Sequence, residues 1–349
     1  MLNPARLVGN PVRTVVDLIE PVRSISLRTR ASVSFVRSGE TALDDERPRM
    51  PPGRVEHVPG AGDLFFRDTG PPRGRAKGTL LLLHGWMVPS DPHWFQTWWP
   101  LHEEGWRVIA MDARGHGRGL RPAEPFSLLD CSRDAAALLR HLDPGPAVAV
   151  GYSMGGTIAQ ILARDFPELL SGAVFCATGC EFNTSLVMRS VWSGMGLYQW
   201  WLRLAPQWSW EAFVQLMVQG DRDTTAWLVG ELRRGAASDI AEAGREIGRF
   251  DSREWIEEIS VPTAVLVTTV DVLVPPARQR DLARRLGAPV VTVRSDHLAP
   301  ATTPDRFHRG LVRALEHVER SRSARRKPAR RKTARRRAPA GPARAARAS

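Results

Sequence analysis

Only three cysteines, Cys131, Cys176 and Cys180, occur in the 349 residues. They make no disulfide framework, so a reducing, cytoplasmic setting is the expectation. No run approaches the roughly 18 unbroken apolar residues that a membrane-spanning helix needs. The stretch from Met1 to Glu20 is interrupted by Pro4, Arg6, Pro11, Arg13 and Asp17 and lacks the apolar core of a secretory signal. Tyrosine is nearly absent, with Tyr152 and Tyr198 alone. Acidic residues are missing from one region: Arg320 to Ser349 holds 13 basic side chains and no Asp or Glu. The net charge of +12 therefore belongs to that tail, since the remaining residues carry 36 basic against 37 acidic groups. The tail also lacks Leu, Ile, Val, Phe, Met and Trp. With nothing to bury against its chain entropy and with like charges repelling, residues 320–349 are expected to be disordered.

The rest reads as a folded α/β body. Residues 1–54 form a leader in which Val12, Val15, Val16 and Ile19 fall at helical spacing between Pro11 and Pro21, which suits one short amphipathic helix. From Val55 onward continuous apolar runs recur at 79–83, 107–111, 147–150, 172–177, 263–268 and 289–293. Such runs suit strands buried on both faces of a parallel sheet. Helical stretches at 128–142, 157–165 and 304–319 alternate with them, which argues a mostly parallel central sheet flanked by helices. Residues 179–258 offer no convincing strand and hold seven of the twelve tryptophans. They read as a helical insertion between 55–178 and 259–319, its tryptophans either packing helices together or walling an apolar pocket.

The strongest local signal is Gly151-Tyr152-Ser153-Met154-Gly155-Gly156, between an apolar strand and a helix. A serine on so tight a turn has strained backbone angles and projects its hydroxyl outward, and the glycines two residues either side avoid collision with the turn. The following helix aims its N-terminus at the same point, favouring developing negative charge. A serine hydroxyl needs a base, and the base needs an acid to fix its tautomer. His297 follows the last strand and Asp271 follows the strand before it, giving the chain order Ser153, Asp271, His297. For the oxyanion, the amides of Met154 and of Trp86, in His84-Gly85-Trp86, are the expected donors. Trp86 and Tyr152 are the expected substrate contacts.

With these residues in hand, the chain resembles the α/β-hydrolase family in its form with a helical cap. Asp112-Ala113-Arg114-Gly115-His116-Gly117 adds to the match, which extends over residues 55–318 and leaves out leader and tail. The resemblance implies Ser153 as nucleophile, His297 as base, Asp271 as acid, Trp86 and Met154 as the oxyanion hole, 179–258 as the substrate-selecting cap, and structural roles for Arg114 and His116. Relatives that open epoxides or displace halide carry an aspartate where Ser153 stands, so acyl chemistry remains: esters, thioesters, lactones, or carbon–carbon cleavage and perhydrolysis on the same triad. No cofactor and no metal are called for. The expected partner is a small apolar acyl compound. The tail could in addition meet nucleic acid or an anionic membrane, making the protein peripheral at a membrane or the nucleoid; in the rival reading a non-catalytic fold acts through that tail.

Overall fold

The computed structural model describes residues 48–183, 222–235 and 237–326. The leader up to residue 47, most of the tryptophan-rich insertion and the tail beyond residue 326 lie outside the described residues.

Eight strands form one sheet: β1 (Gly53–Val58), β2 (Gly62–Asp68), β3 (Gly78–Leu83), β4 (Trp106–Met111), β5 (Ala147–Tyr152), β6 (Leu170–Cys176), β7 (Thr263–Thr268) and β8 (Val290–Val293). Their spatial order is β1-β2-β4-β3-β5-β6-β7-β8. β1 and β2 form an antiparallel hairpin that pairs antiparallel with β4, and every pairing from β4 through β8 is parallel. The run at 79–83 shows why such strands are uninterruptedly apolar. Leu81 and Leu83 enter the core on one face, Leu80 and Leu82 the core on the other, and all four are buried.

On the first face lie α3 (Leu128–Leu142), α4 (Met154–Asp165) and α7 (Pro276–Leu286), supplying Leu138, Ile158 and Leu282 to that core. The second face is covered by α1 (Ser90–Trp94), α2 (Trp98–Glu103) and α9 (Pro304–Arg326), which supply Trp94, Trp98, Phe307 and Leu311. The start of α3 is marked in the sequence: Ser127 caps it, its side chain accepting from the Asp130 amide. A short helix α8 (Ala299–Thr302) precedes α9.

Two described helices belong to the insertion, α5 (Arg222–Leu232) and α6 (Ala237–Arg249). α6 is bolted to the body: the buried Glu242 carboxylate accepts the Phe126 amide at 2.8 Å, and Arg121 pairs with Asp239 at 3.8 Å. α5 is tied through Arg118, which reaches Glu231 at 2.8 Å and Asp91 at 3.2 Å. Trp227 meets Phe95 edge-on at 5.2 Å, and Trp255 lies under the Arg164 guanidinium at 4.2 Å, so each of these two tryptophans packs insertion residues against the body. Trp192, Trp200, Trp201, Trp208 and Trp210 lie outside the described residues.

The C-terminal helix departs from expectation. It runs to Arg326 rather than stopping near Glu319, taking in the first seven residues of the segment expected to be disordered. Arg320–Arg326 contains no Pro or Gly, the first breaker being Pro328, and Glu316 pairs with Arg320 one turn on. Low hydrophobicity hides the fact that Arg and Ala propagate a helix already nucleated by packing.

Candidate active site

Ser153 sits between β5 and α4 with φ 51° and ψ −115°, a backbone region that non-glycine residues rarely adopt. The surroundings over-determine it. Its amide donates to the Cys176 carbonyl at 2.9 Å, and its own carbonyl accepts the Thr178 hydroxyl at 3.0 Å and the Gly156 amide at 2.8 Å. The flanking glycines are sterically required. A Cβ on Gly151 would lie 2.2 Å from the Gly155 carbonyl oxygen, and one on Gly155 only 2.0 Å from that of Leu83. That second close approach seats α4 directly against the end of β3, where the His84-Gly85-Trp86 loop begins.

His297, in the loop after β8, has its Nε2 2.9 Å from Ser153 Oγ and its Nδ1 2.7 Å from Asp271 Oδ2. The carboxylate fixes the tautomer: Nδ1 carries the proton and donates it to Asp271, which leaves the Nε2 lone pair facing the serine hydroxyl. Asp271 is fully buried and heavily supplied with donors. Its Oδ1 accepts the Leu273 and Val274 amides at 3.0 and 2.9 Å, and its Oδ2 accepts Thr268 Oγ1 at 2.8 Å and Gln279 Nε2 at 3.2 Å. Thus Ser153, His297 and Asp271, contributed by three distant parts of the sequence, form one unbroken hydrogen-bonded chain at the C-terminal edge of the sheet. Asp296, next to the histidine, accepts the Leu298 amide and the Thr302 hydroxyl and so shapes the loop.

Met154 is the first residue of α4, where an amide has no carbonyl one turn back to donate to. Gly85 approaches the nucleophile so closely that a Cβ there would lie 3.7 Å from Ser153 Cβ. The loop carrying Trp86 is held by buried His84, whose Nδ1 donates to the Gly85 carbonyl at 2.8 Å while its Nε2 accepts the Ala113 amide at 2.9 Å. Burial lowers the His84 pKa, opposed by Asp112, and depresses His93 well below its ordinary value. His116 is pushed down to about 3 by burial, with His84 adding to the effect. Its ring lies 6.1 Å from Phe126, and Arg114 grips Asp134 through two bonds of 2.9 and 2.8 Å, so both serve the fold.

The two expected substrate contacts take other places. Tyr152 is buried in the core, and its hydroxyl donates to the His297 carbonyl at 3.0 Å, holding the histidine loop. The Trp86 indole turns toward the insertion: Nε1 donates to the Ile240 carbonyl at 2.6 Å, and the ring packs so closely on Gly244 of α6 that a Cβ there would come within 2.6 Å of it. Sequence reasoning misses Gln279, Thr268 and His84 as supports of the site. Only the adjacency of His84 to Gly85 offers a signal for any of them. Val270, Val272 and Leu273, beside Asp271 in the chain, and Leu298, beside His297, are exposed apolar side chains. The three thiols are buried, and among the described residues no cluster of three or more His, Cys, Asp or Glu could hold a metal ion.

The sequence profile of the alpha/beta hydrolase fold matches residues 78–212. Among curated proteins, the chain is 24% identical over 213 residues to 3-oxoadipate enol-lactonase 2 of Acinetobacter baylyi, covering 60% of this chain and 78% of that protein. A non-heme chloroperoxidase of Streptomyces lividans is 35% identical over 113 residues, but the match spans only 32% of this chain and 40% of that one. Among solved structures, the enol-lactonase from Burkholderia xenovorans superposes with a TM-score of 0.63 at 23% identity, over 75% of this chain and all of that one.

Proposed function

We propose that this chain, whose fold is that of the alpha/beta hydrolases, hydrolyses ester-type bonds through an acyl-enzyme formed on Ser153. The observation that carries this reading is the continuous path Ser153–His297–Asp271, with the serine held in a strained conformation at a helix N-terminus.

In the first step His297 Nε2 takes the Ser153 proton as Oγ attacks the substrate carbonyl carbon, and the electron pair of the C=O moves to oxygen. The amides of Met154 and Trp86 are the donors assigned to this oxyanion, where loss of one donor costs about 100- to 1000-fold in rate. Collapse expels the alcohol, which receives the proton from His297. Water then attacks the acyl-enzyme with the same histidine as base, releasing the acid and restoring Ser153. Asp271 stabilises the imidazolium through both transfers and remains ionised.

An apolar acyl or alcohol group is the substrate feature favoured by the apolar side chains next to Asp271 and His297. Val270, Val272 and Leu273 follow or precede Asp271 in the chain and Leu298 follows His297, all four exposed, and Trp86 and Met87 pack with Val229 and Ile240 of the insertion. Lactones fall within the same chemistry. Carbon–carbon hydrolysis or perhydrolysis would use the same triad and differ in the bond presented or the nucleophile that intercepts the acyl-enzyme.

The test is turnover of chromogenic esters of graded acyl length by the wild-type protein and by Ser153→Ala. Wild-type hydrolysis that disappears in the variant supports the reading, and a rate rising with acyl length supports these apolar side chains as substrate contacts. Equal residual turnover by both proteins refutes an acyl-enzyme on Ser153. Rates that increase with substrate charge refute the apolar preference alone.

A further inference from the structure

One polar ring beside the triad has no part in the acyl-transfer steps. His93 stands on α1, partly buried, with its ring clamped edge-on by Trp94 at 4.4 Å and Tyr152 at 4.9 Å. Its Nε2 is buried and has no hydrogen-bond partner among the described residues. An apolar ring would make the same edge contacts without stranding a nitrogen, so packing alone does not account for an imidazole at this place. Neighbouring aromatic rings also fix its orientation, which is a requirement for a group that recognises something rather than merely fills space.

The direction of the ring follows from Gly85. A Cβ built on that glycine would lie 3.3 Å from His93 Cε1, 3.7 Å from His93 Nδ1 and 3.7 Å from Ser153 Cβ. A space about one atom wide therefore separates the Nδ1–Cε1 edge of His93 from the nucleophile. Gly85 directly precedes Trp86, whose amide is assigned to the oxyanion, so the atoms next to a carbonyl held there come to the mouth of this space. Burial, with His84 and His297 nearby, keeps the His93 pKa well below its ordinary value, and the ring stays neutral with one N–H and one lone pair. At Nε2 an N–H would be buried without an acceptor, which is the costlier group to strand. The proton accordingly resides on Nδ1, the nitrogen that faces the gap. An uncharged donor of this kind suits an uncharged oxygen and offers a carboxylate no ion pair.

We infer that His93 is a specificity-determining residue of the Ser153 site, donating from Nδ1 to an uncharged oxygen on the α or β carbon of the acyl group. The substrate class is then an ester or lactone of a hydroxy or oxo acid, apolar beyond that oxygen. This inference rests on the reading of Ser153 as the nucleophile of an ester hydrolase.

The experiment follows hydrolysis of ethyl hexanoate, ethyl 2-hydroxyhexanoate and ethyl 3-oxohexanoate with a pH indicator, for wild type, His93→Phe, His93→Leu and His93→Gln. Its readout is the ratio of kcat/KM for each oxygenated ester to that for ethyl hexanoate. Intrinsic differences in ester reactivity cancel when variants are compared with wild type. For at least one oxygenated ester the ratio falls about tenfold in the Phe and Leu variants, the worth of one hydrogen bond to a group otherwise left unpaired. His93→Gln, which keeps an N–H donor, recovers part of that loss. An equal fall for all three esters overturns the inference, because His93 would then shape the site without reading the substrate. Unchanged ratios overturn it as well. A second arm leaves His93 in place: in Ser153→Ala, which cannot be acylated, nitrogen NMR of the His93 ring is recorded as each ester is added. A shift at Nδ1 with an oxygenated ester and not with ethyl hexanoate supports the contact, and identical responses to all three overturn it. Selective shifts without any wild-type turnover would keep His93 as a binding group and remove only the acyl-enzyme reading.

Discussion

The Asp271→Asn substitution changes one atom's chemistry and leaves the shape of the site intact, so its effect can be worked out from the hydrogen bonds alone. The Oδ1 position accepts two backbone amides, Leu273 and Val274, which cannot become acceptors. The carbonyl oxygen of the introduced amide must therefore occupy Oδ1, and its NH2 group falls at Oδ2, 2.7 Å from His297 Nδ1. An N–H now faces an N–H. The imidazole relieves this by moving its proton to Nε2, and Nδ1 then accepts from the amide. Nε2–H points at Ser153 Oγ with no lone pair left to receive the serine proton, so the base is lost while every heavy atom stays in place. Such a tautomer inversion costs about 10⁴ in kcat, or roughly 5 kcal/mol of barrier. The new NH2 also meets Gln279 Nε2, which cannot turn around without giving up the Thr268 amide held by its Oε1. A stability loss of about 1–3 kcal/mol follows from the unsatisfied donors.

The assay is steady-state ester turnover normalised to folded protein, with the His297 tautomer read by nitrogen NMR. A variant retaining more than about one part in a hundred of wild-type kcat would refute the reasoning, because the acid would then not be setting the tautomer. A proton still on Nδ1 in the spectrum would refute it as directly.

Two further outcomes rest on single side chains. Trp86→Phe keeps an aromatic ring against Gly244 but deletes the bond to the Ile240 carbonyl; if the indole holds the oxyanion amide in register with α6, kcat falls about five-fold, the worth of one net hydrogen bond of about 1 kcal/mol. KM is unchanged, and affinity for a boronic-acid transition-state analogue falls in the same ratio; a lowered thermal midpoint with wild-type kcat would show a purely structural ring. His116, pushed down to about 3 from an unfolded value near 6.5, contributes stability that is complete above about pH 6.5 and is lost as pH falls toward 3, because the unfolded chain takes up the proton first. By pH 4.5 the loss is about 3 kcal/mol. Urea midpoints measured from pH 7 to 4.5 should thus fall more steeply for wild type than for His116→Phe, and parallel curves would refute the assignment.

The parts of this protein that can be read from sequence are those where the backbone itself imposes a residue type. The strand runs are continuous because both sheet faces are covered, so 79–83 and 263–268 announce parallel strands. The turn at Ser153 needs glycine at 151 and 155 because carbonyl oxygens lie well inside van der Waals contact of any Cβ there, and that need is visible as a motif. Asp271 and His297 are legible through chain order and strand ends. Illegible are contacts set by the direction of a side chain. Tyr152 and Ser153 are neighbours on a turn that sends one ring into the core and one hydroxyl toward His297, so adjacency to the nucleophile says nothing about reaching substrate. Gln279 holds Asp271 from the first half of the following helix, α7, and no local pattern marks a glutamine whose partners are eight and eleven residues away. The end of α9 escapes a compositional reading for a related reason, since composition measures what a segment can bury and not what a helix already packed can extend into.

The Trp86 contact bears on how selectivity and rate could be joined in one device. The same residue contributes the backbone amide assigned to the oxyanion and an indole fixed on α6, the helix that also holds Phe126 through Glu242. A displacement of α6 would have to drag the indole, which is joined through a single Cβ to the Cα that orients the amide. Substrate fit beneath the insertion would then be felt at the oxyanion, where a small shift of a donor changes transition-state binding more than ground-state binding. By contrast, α5 is tied to the body through the long Arg118–Glu231 pair and meets the Trp86 cluster through the apolar packing of Val229, which can slide more readily than a hydrogen bond can stretch. The two described helices of the insertion thus have unequal mechanical access to the chemistry, and α6 is the one whose substitutions should alter kcat rather than KM.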